Sequence, residues 1–276
     1  MIGRLFHVFR NTPLGRETYL QSLYFCNQSG LSLKVYVPLE TRFLMYLEHH
    51  VVQVDLDNSY LTSPENAQDH ARDLADEAGV KIEFFEPTDY TASTLPEVSV
   101  NFQYMCCPRS ISDLSSKIGL GYIGPRVRVI VHEARFPVLV PSPVFKEWHS
   151  LAVFFGGSAN AFDALKHALA LHRTTGMPLD LFTIEEGGRD QAHLENRLKD
   201  EGLAEEVHGC LRDWHVKKGG TLAKHLYDVP HDALAIVGAY GHGLIKELVF
   251  GSKMEAIQAN LCNNLLIVGP RCHLPH

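Results

Sequence analysis

The sequence predicts an α/β protein made of two tandem, doubly wound parallel-sheet domains. Three observations predict it. In the second half, short apolar runs bounded by glycine alternate with segments of helical period. Strands that alternate with helices imply right-handed crossovers and a parallel sheet covered on both faces. The first half repeats the plan as a diverged tandem duplication: Arg10 matches Gly156 at an offset of 156 − 10 = 146, and Gly124 matches Gly251 at 251 − 124 = 127. A length of 276 residues suits two ordinary cores.

The elements of the first half follow in order. Arg4–Phe9 is apolar enough for a buried strand. Thr12 can cap the helix after it, Pro13 suits the first helical position, and the helix ends near Gly30. LSLKVYVP is the next strand. A second helix has Ser63 as cap, Pro64 behind it and Gly79 as its stop, and VKIEFFEP follows as a strand. Extra residues around His50–Asn58 and Thr88–Val98 account for the change of offset. Gly124–Pro141 then parallels Gly251–Pro270, helix first and strand after. Pro141–Trp148 is the linker, stiffened by its prolines, and the expected domains are 1–145 and 146–276.

In the second half, Ser150–Phe155 is a buried strand bounded by Gly156-Gly157-Ser158. A helix runs from Ala159, with Phe162, Leu165, Ala168, Leu169 and His172 on one face and Gly176 past its end. Leu179–Ile184 is a strand, Asp190–Lys199 a charged helix, Val207–Leu211 a further strand and Leu222–Tyr227 a short helix. Ala233–Gly238 is another buried strand. A helix over Ser252–Leu261 leads to the last strand, Leu265–Gly269.

Composition removes several function classes. A formal net charge of −7 argues against nucleic acid, whose binding rests on neutralising phosphates with Lys and Arg. No apolar stretch reaches bilayer length, and MIGRLFHVF is too short for a signal peptide, so a cytoplasmic location is expected. The six cysteines form no C-x-x-C pair and read mostly as small buried apolar residues in a reducing compartment. Sixteen histidines is a high count, yet His49-His50 point apart, and Cys272-His273 sit in a tail where disorder is the default. Surface histidines and no metal site are therefore expected.

The sharpest signal is IVGAYGHGLIKELVFGS, Ile236 to Ser252. It lies between a buried strand and a helix, at the carboxyl end of a parallel strand, where such sheets place ligands. Gly238 and Gly241 let the backbone turn tightly and approach a ligand. Their amides, with the helix start at Ser252, form an anion-binding concavity. A plainer role stands beside this one: the glycines shape a turn, and Ser252-Lys253-Met254-Glu255 is a capping box.

Gly238-x2-Gly241-x9-Gly251-Ser252 resembles the G-x2-G-x9-G-[S/T] nucleotide motif of the universal stress protein family. The resemblance covers nearly all of the second half, and in the first half only the first strand and helix and the last helix and strand. It implies an adenine-nucleotide-binding fold with sheet order 3-2-1-4-5 and domains paired through their last strands, in a family where ATP binders and non-binders both occur; ATP, with Mg²⁺, is the ligand expected here. By the resemblance, Gly238 and Gly241 pass the backbone close to ribose and phosphates, and Gly251 and Ser252 hold the phosphate tail. Val237 packs near the base, Lys253 neutralises phosphate charge, and Tyr240 and His242 flank the loop.

This sequence departs from the family pattern twice. ATP-binding members carry Asp at the end of the first strand, where this chain has Gly156. The loss of one hydrogen bond weakens binding by roughly 0.5–1.5 kcal/mol. Gly156-Gly157-Ser158 still offers backbone donors at a helix start. In the first half, the offset of 127 sets Ile111 and Leu114 against Gly238 and Gly241, Pro125 replaces the serine and Arg10 stands in place of the Asp. No nucleotide of this mode is expected there. GLGYIG, Gly119 to Gly124, matches the dinucleotide pattern but precedes a last helix and lacks the acid about 20 residues on.

No catalytic constellation emerges: there is no P-loop, G-x-S-x-G elbow or H-E-x-x-H, and Asp232 reads as a turn residue. The leading expectation is a tandem universal stress protein whose second domain binds an adenine nucleotide. The first domain serves as an intrachain partner, and two chains pair again as a homodimer. The alternatives are a stress module that binds an unknown protein partner and keeps the glycine loop as a relic, and a nucleotide-using enzyme, at most a slow ATPase.

Overall fold

The computed structural model describes residues 3–56, 64–111, 123–185, 190–218, 225–239 and 263–272. Each half opens on the same unit. In the first, β1 (Arg4–Val8) leads through the cap Thr12 into α1 (Pro13–Ser29) and on to β2 (Ser32–Tyr36). In the second, β10 (Ser150–Phe154) leads through the cap Ser158 into α4 (Ala159–Thr175) and β11 (Leu179–Glu185). Thr12 accepts from Gly15 N at 3.0 Å and Ser158 from Ala161 N at 3.2 Å. Both helices stop at a glycine with φ 68°, Gly30 and Gly176, a conformation that favours glycine. The strand registers Leu5↔Leu33 and Leu151↔Leu179 also differ by 146. The offset read between Arg10 and Gly156 thus holds through a whole strand–helix–strand unit.

The remaining strands are β5 (Ile82–Phe84), β8 (Tyr104–Cys106) and β9 (Val138–Val140) in the first half, and β12 (Leu211–Lys218), β13 (Ala233–Gly238) and β14 (Leu265–Val268) in the second. They form one sheet of order β12-β11-β10-β13-β14-β9-β8-β1-β2-β5. Each half has the order 3-2-1-4-5, all parallel, and the halves join where β14 meets β9 antiparallel. The two tandem doubly wound domains form a pseudo-dimer, as expected. One face of the sheet buries Leu5, Leu151, Leu181 and Ile236 under α1, α4 and α2 (Pro64–Glu77). The other buries Phe6, Phe154, Phe182 and Val237, with α3 (Pro125–Glu133) over part of it.

The first half carries a second sheet that the sequence reading lacked. β3 (Arg42–Leu47), β4 (His50–Asp55), β6 (Asp89–Tyr90) and β7 (Pro96–Ser99) pair in the order β4-β3-β7-β6. The residues marked as extra lie largely in these strands. Phe43, Met45, Leu47, Val52, Val54 and Val98 alternate inward and join the core beside Phe6 and Met105. Arg126 on α3 donates to Asp55 at 2.6 Å and ties this sheet to the helix.

Three local expectations are corrected. Val207–Cys210 is helical, part of α6 (Ala204–Cys210) after α5 (Gln191–Asp200), and the strand begins at Leu211. Glu205 and Glu206 suit the first turn of α6, and its one buried face is Val207. Cys272 is no loose tail residue: it is fully buried, its amide donates to Gly269 O at 3.2 Å, and its thiol lies 3.5 Å from His167 Nε2. His7 and His167 are core residues, whereas His49 and His50 are exposed. The linker is anchored as well as stiff. Phe145 N donates to Glu17 Oε2 at 2.6 Å, Tyr24 OH donates to Trp148 O at 2.6 Å, and Trp148 is fully buried.

Among the described residues no helix is long and apolar enough to cross a membrane. The Ser252–Leu261 helix, the Ser63 cap and the first half of Leu222–Tyr227, residues 222–224, lie outside them.

Candidate functional site

β10 lies between β11 and β13, so the chain leaves its carboxyl end at the point where strand order reverses. In doubly wound sheets the loops diverge there and leave a crevice. Its lips are Gly156-Gly157-Ser158 with the start of α4 on one side, and Val237-Gly238-Ala239 on the other. Gly157 has φ 73°, a conformation strained for any L side chain, and a Cβ there would fall 2.6 Å from Leu194 Cδ2 on α5. Gly156 and Ser158 are partly exposed, and the Ser158 hydroxyl is occupied as the α4 cap.

Gly238 has a packing reason of its own. A Cβ there would sit 2.8 Å from Ala161 N and closer still to the Asn160 carbonyl. The glycine therefore lets β13 run against the first turn of α4. Asn160, which the sequence reading passed over, donates its side-chain amide to Ala239 O and clasps the two lips. A polar residue just inside a helix that follows two glycines is the only signal that could have marked it. Val237 is fully buried beside Phe154 and Ile267 and exposes no side chain to the crevice.

Behind the lips, Trp214 Nε1 donates to Thr183 Oγ1 at 2.9 Å, and that hydroxyl donates to Phe155 O at 2.8 Å. This chain ties the ends of β10, β11 and β12 together. His215 stacks on Phe182 at 4.4 Å. Tyr240, Gly241, His242, Gly251, Ser252 and Lys253 lie outside the described residues.

The first half keeps the helix cap, Thr12 in place of Ser158, and differs around it. Asn11 Oδ1 accepts from Arg16 Nε and from His70 Nδ1, both at 2.8 Å, so a hydrogen-bonded group of side chains stands beside the start of α1 where the second half has Gly157. Gly15 lies so close beneath Arg10 that a Cβ would meet the Arg10 carbonyl. Strand register also revises the residue matched to Gly238. Leu5 pairs with Tyr104 and Leu151 with Leu234, an offset of 234 − 104 = 130, so the match is Pro108 and not Ile111. The sequence offset failed because the chain between β8 and α3 is three residues longer than its counterpart: Tyr104 to Gly124 spans 124 − 104 = 20 positions, and Leu234 to Gly251 spans 251 − 234 = 17. Ile111 is a core residue instead, and Leu114 lies outside the described residues.

One other arrangement has catalytic geometry without access. His7 Nδ1 lies 2.8 Å from Ser22 Oγ, the spacing of a base and a nucleophile. Both side chains are almost completely buried beneath α1. Burial, with the nearby Arg10 charge, lowers the His7 pKa to about 3. The pair is a neutral core hydrogen bond. The buried thiols Cys26, Cys106 and Cys107 have raised pKa values through burial, which keeps them protonated and unreactive.

No protein-family model matches the chain, and no curated protein sequence does. Solved structures do match over almost its full length. A universal stress protein from Archaeoglobus fulgidus DSM 4304 has a TM-score of 0.60 at 17% identity, covering 97% of this chain and 96% of that one. A provisionally assigned universal stress protein from Pseudomonas aeruginosa UCBPP-PA14 has a TM-score of 0.56 at 11% identity, covering 98% and 94%. The cytoplasmic domain of a prokaryotic cation chloride cotransporter has a TM-score of 0.52 at 12% identity, covering 97% and 95%. At these identities the likeness shows the fold: two universal-stress-protein-like units in one chain.

Proposed function

We propose that this chain, built on the tandem universal stress protein fold, binds an adenine nucleotide in its second half as a regulatory ligand. One observation carries the reading. At the strand-order reversal, the left-handed Gly157 and the start of α4 face the end of β13, and the motif Gly238-x2-Gly241-x9-Gly251-Ser252 continues from that strand. The packing needs of Gly157 and Gly238 are met by protein atoms, so the ligand's share falls to backbone amides and to Gly241, Gly251 and Ser252. Those residues would hold the triphosphate with its Mg²⁺, and Lys253 would add a positive charge. The first half, where Asn11, Arg16 and His70 are hydrogen-bonded to one another beside α1, acts as a fixed partner, and two chains pair to a homodimer.

A protein-binding module without nucleotide is the second reading. Gly156 favours it, because the side-chain anchor for the nucleoside is gone. The cotransporter domain adds that this fold also occurs as part of a larger membrane protein.

Thermal unfolding with and without Mg-ATP separates the two. A ligand at 100 times its Kd stabilises by about 2.7 kcal/mol, a readable shift. Gly241→Asp should remove most of that shift without lowering the melting temperature of the free protein. Ser252→Ala should also reduce it, read against the variant's own nucleotide-free melting temperature, because loss of a helix cap costs about 1 kcal/mol by itself. Absence of any shift, with no nucleotide released on denaturing the purified protein, would leave the second reading standing.

A further inference from the structure

The added sheet of the first half creates a cleft that has no counterpart among the described residues of the second half. β3 and β7 run parallel with Tyr46 opposite Ser99, so both strands end at the same level. Their exits, Leu47-Glu48 and Val100-Asn101, face the turn from α3 into β9, Glu133 to Phe136. The space between encloses about 340 Å³. In the second half, the described residues between β11 and β12 form α5 and α6 and no such sheet.

We propose that this cleft binds a free α-amino acid with an apolar side chain. Size is the first reason: ligand pockets span roughly 300–1,000 Å³, and this one suits a metabolite of amino-acid size rather than a nucleotide. The floor is the second. Leu47, Val100, Ala134 and Phe136 are all buried members of the core, and they present an apolar base to the cleft. The rim is the third, because it presents charges of both signs. Arg135 pairs with Glu48 across the mouth, with side-chain exposures of 62% and 46%. An ion pair so exposed has little net strength and exchanges readily with a ligand. The ligand carboxylate takes the Arg135 fork, and the ammonium takes the released Glu48 carboxylate.

Glu133 is already satisfied. Its carboxylate is mostly buried, and His132 Nδ1 and Arg271 each lie 2.7 Å from one of its oxygens. The exchangeable charges of the rim are therefore Arg135 and Glu48, one of each sign. A zwitterion engages both, whereas a phosphate or a simple acid would take Arg135 and leave Glu48 without it.

Calorimetric titration of the full chain with leucine, methionine and phenylalanine tests this, with leucinamide and N-acetyl-leucine as single-charge analogues. At least one amino acid should bind, with both leucine analogues weaker than leucine by about tenfold or more. Arg135→Gln should lose binding to a similar degree. Arg135→Lys, which keeps the charge without the fork, should fall between and guards against a folding defect, checked by its melting curve. No heat and no thermal shift with any of the amino acids overturns the proposal. So does equal binding of leucinamide, or unchanged affinity in both Arg135 variants. Ser252→Ala should bind the amino acid normally, so failure here is distinct from failure at the nucleotide site.

Discussion

Leu139 on β9 and Leu266 on β14 sit opposite one another in the antiparallel step that joins the two halves. They are also each other's counterparts, since 266 − 139 = 127, the offset of the last helix and strand. Val140 pairs with Leu265, and Val138 with Ile267, so the register is self-complementary about this pair. That is the geometry of a two-fold interface, with one patch used twice. Both leucines are fully buried. Leu139→Ala and Leu266→Ala should each cost about 2–5 kcal/mol in urea unfolding, as large-to-small core changes do. Because the two touch, the double variant should depart from additivity, which a double-mutant cycle reads directly.

Gly238→Ala separates packing from ligand binding. The new Cβ must displace the first turn of α4, and overpacking of this kind costs about 1–3 kcal/mol. The loss should appear in the melting temperature of the nucleotide-free protein. Gly241→Asp, in contrast, should leave that temperature unchanged and act on the ATP shift alone. Equal losses in the free protein would assign both glycines to packing.

Acid should destabilise the fold through two core histidines. Burial is the first cause in each case, lowering His7 to about 3 and His167 to about 4 from an ordinary 6.5. Folded pKa values below the unfolded one mean that the unfolded chain binds more protons. The contribution is therefore full above pH 6.5 and is lost as pH falls towards 4 for His167 and 3 for His7. Across that window each histidine should add about 1.4 kcal/mol per pH unit to the slope. Urea midpoints measured from pH 7 to pH 4.5 should show it, and His167→Gln should flatten the curve by one histidine's share.

Asp180 is almost fully buried on β11, and Arg212 from β12 grips both of its oxygens, with Nε 2.9 Å from Oδ1. Arg212→Ala strands a buried carboxylate and should cost about 2–4 kcal/mol, less than for a fully buried pair because the Arg212 side chain is 48% exposed. Asp180→Asn removes the charge and should cost less than Arg212→Ala. The reverse order in chemical denaturation would contradict this account.

Much of the frame was legible in the chain. Caps and stops such as Thr12, Pro13, Gly30 and Gly176 act within a few residues, so they declare themselves locally. The buried runs Ser150–Phe155 and Ala233–Gly238 do the same, because a strand covered on both faces must be apolar throughout. The small sheet was missed although Arg42–Leu47 and His50–Asp55 alternate. Strands of two to six residues become stable only with partners, and β3 finds one of its partners in β7, some fifty residues on. The reading of Val207–Leu211 failed for a related reason: one buried valine fits a helix or a strand, and packing decides between them.

At the candidate site, the sequence by itself determined the motif from Gly238 to Ser252, the Gly156 departure and the duplication. These depend on residue type and spacing along the chain. Only the tertiary structure decided that Gly238 is required by α4, that Asn160 clasps Ala239, and that Pro108 rather than Ile111 stands level with Gly238. Each depends on atoms brought together across strands or between a strand and a helix, where distance in space is independent of distance in sequence.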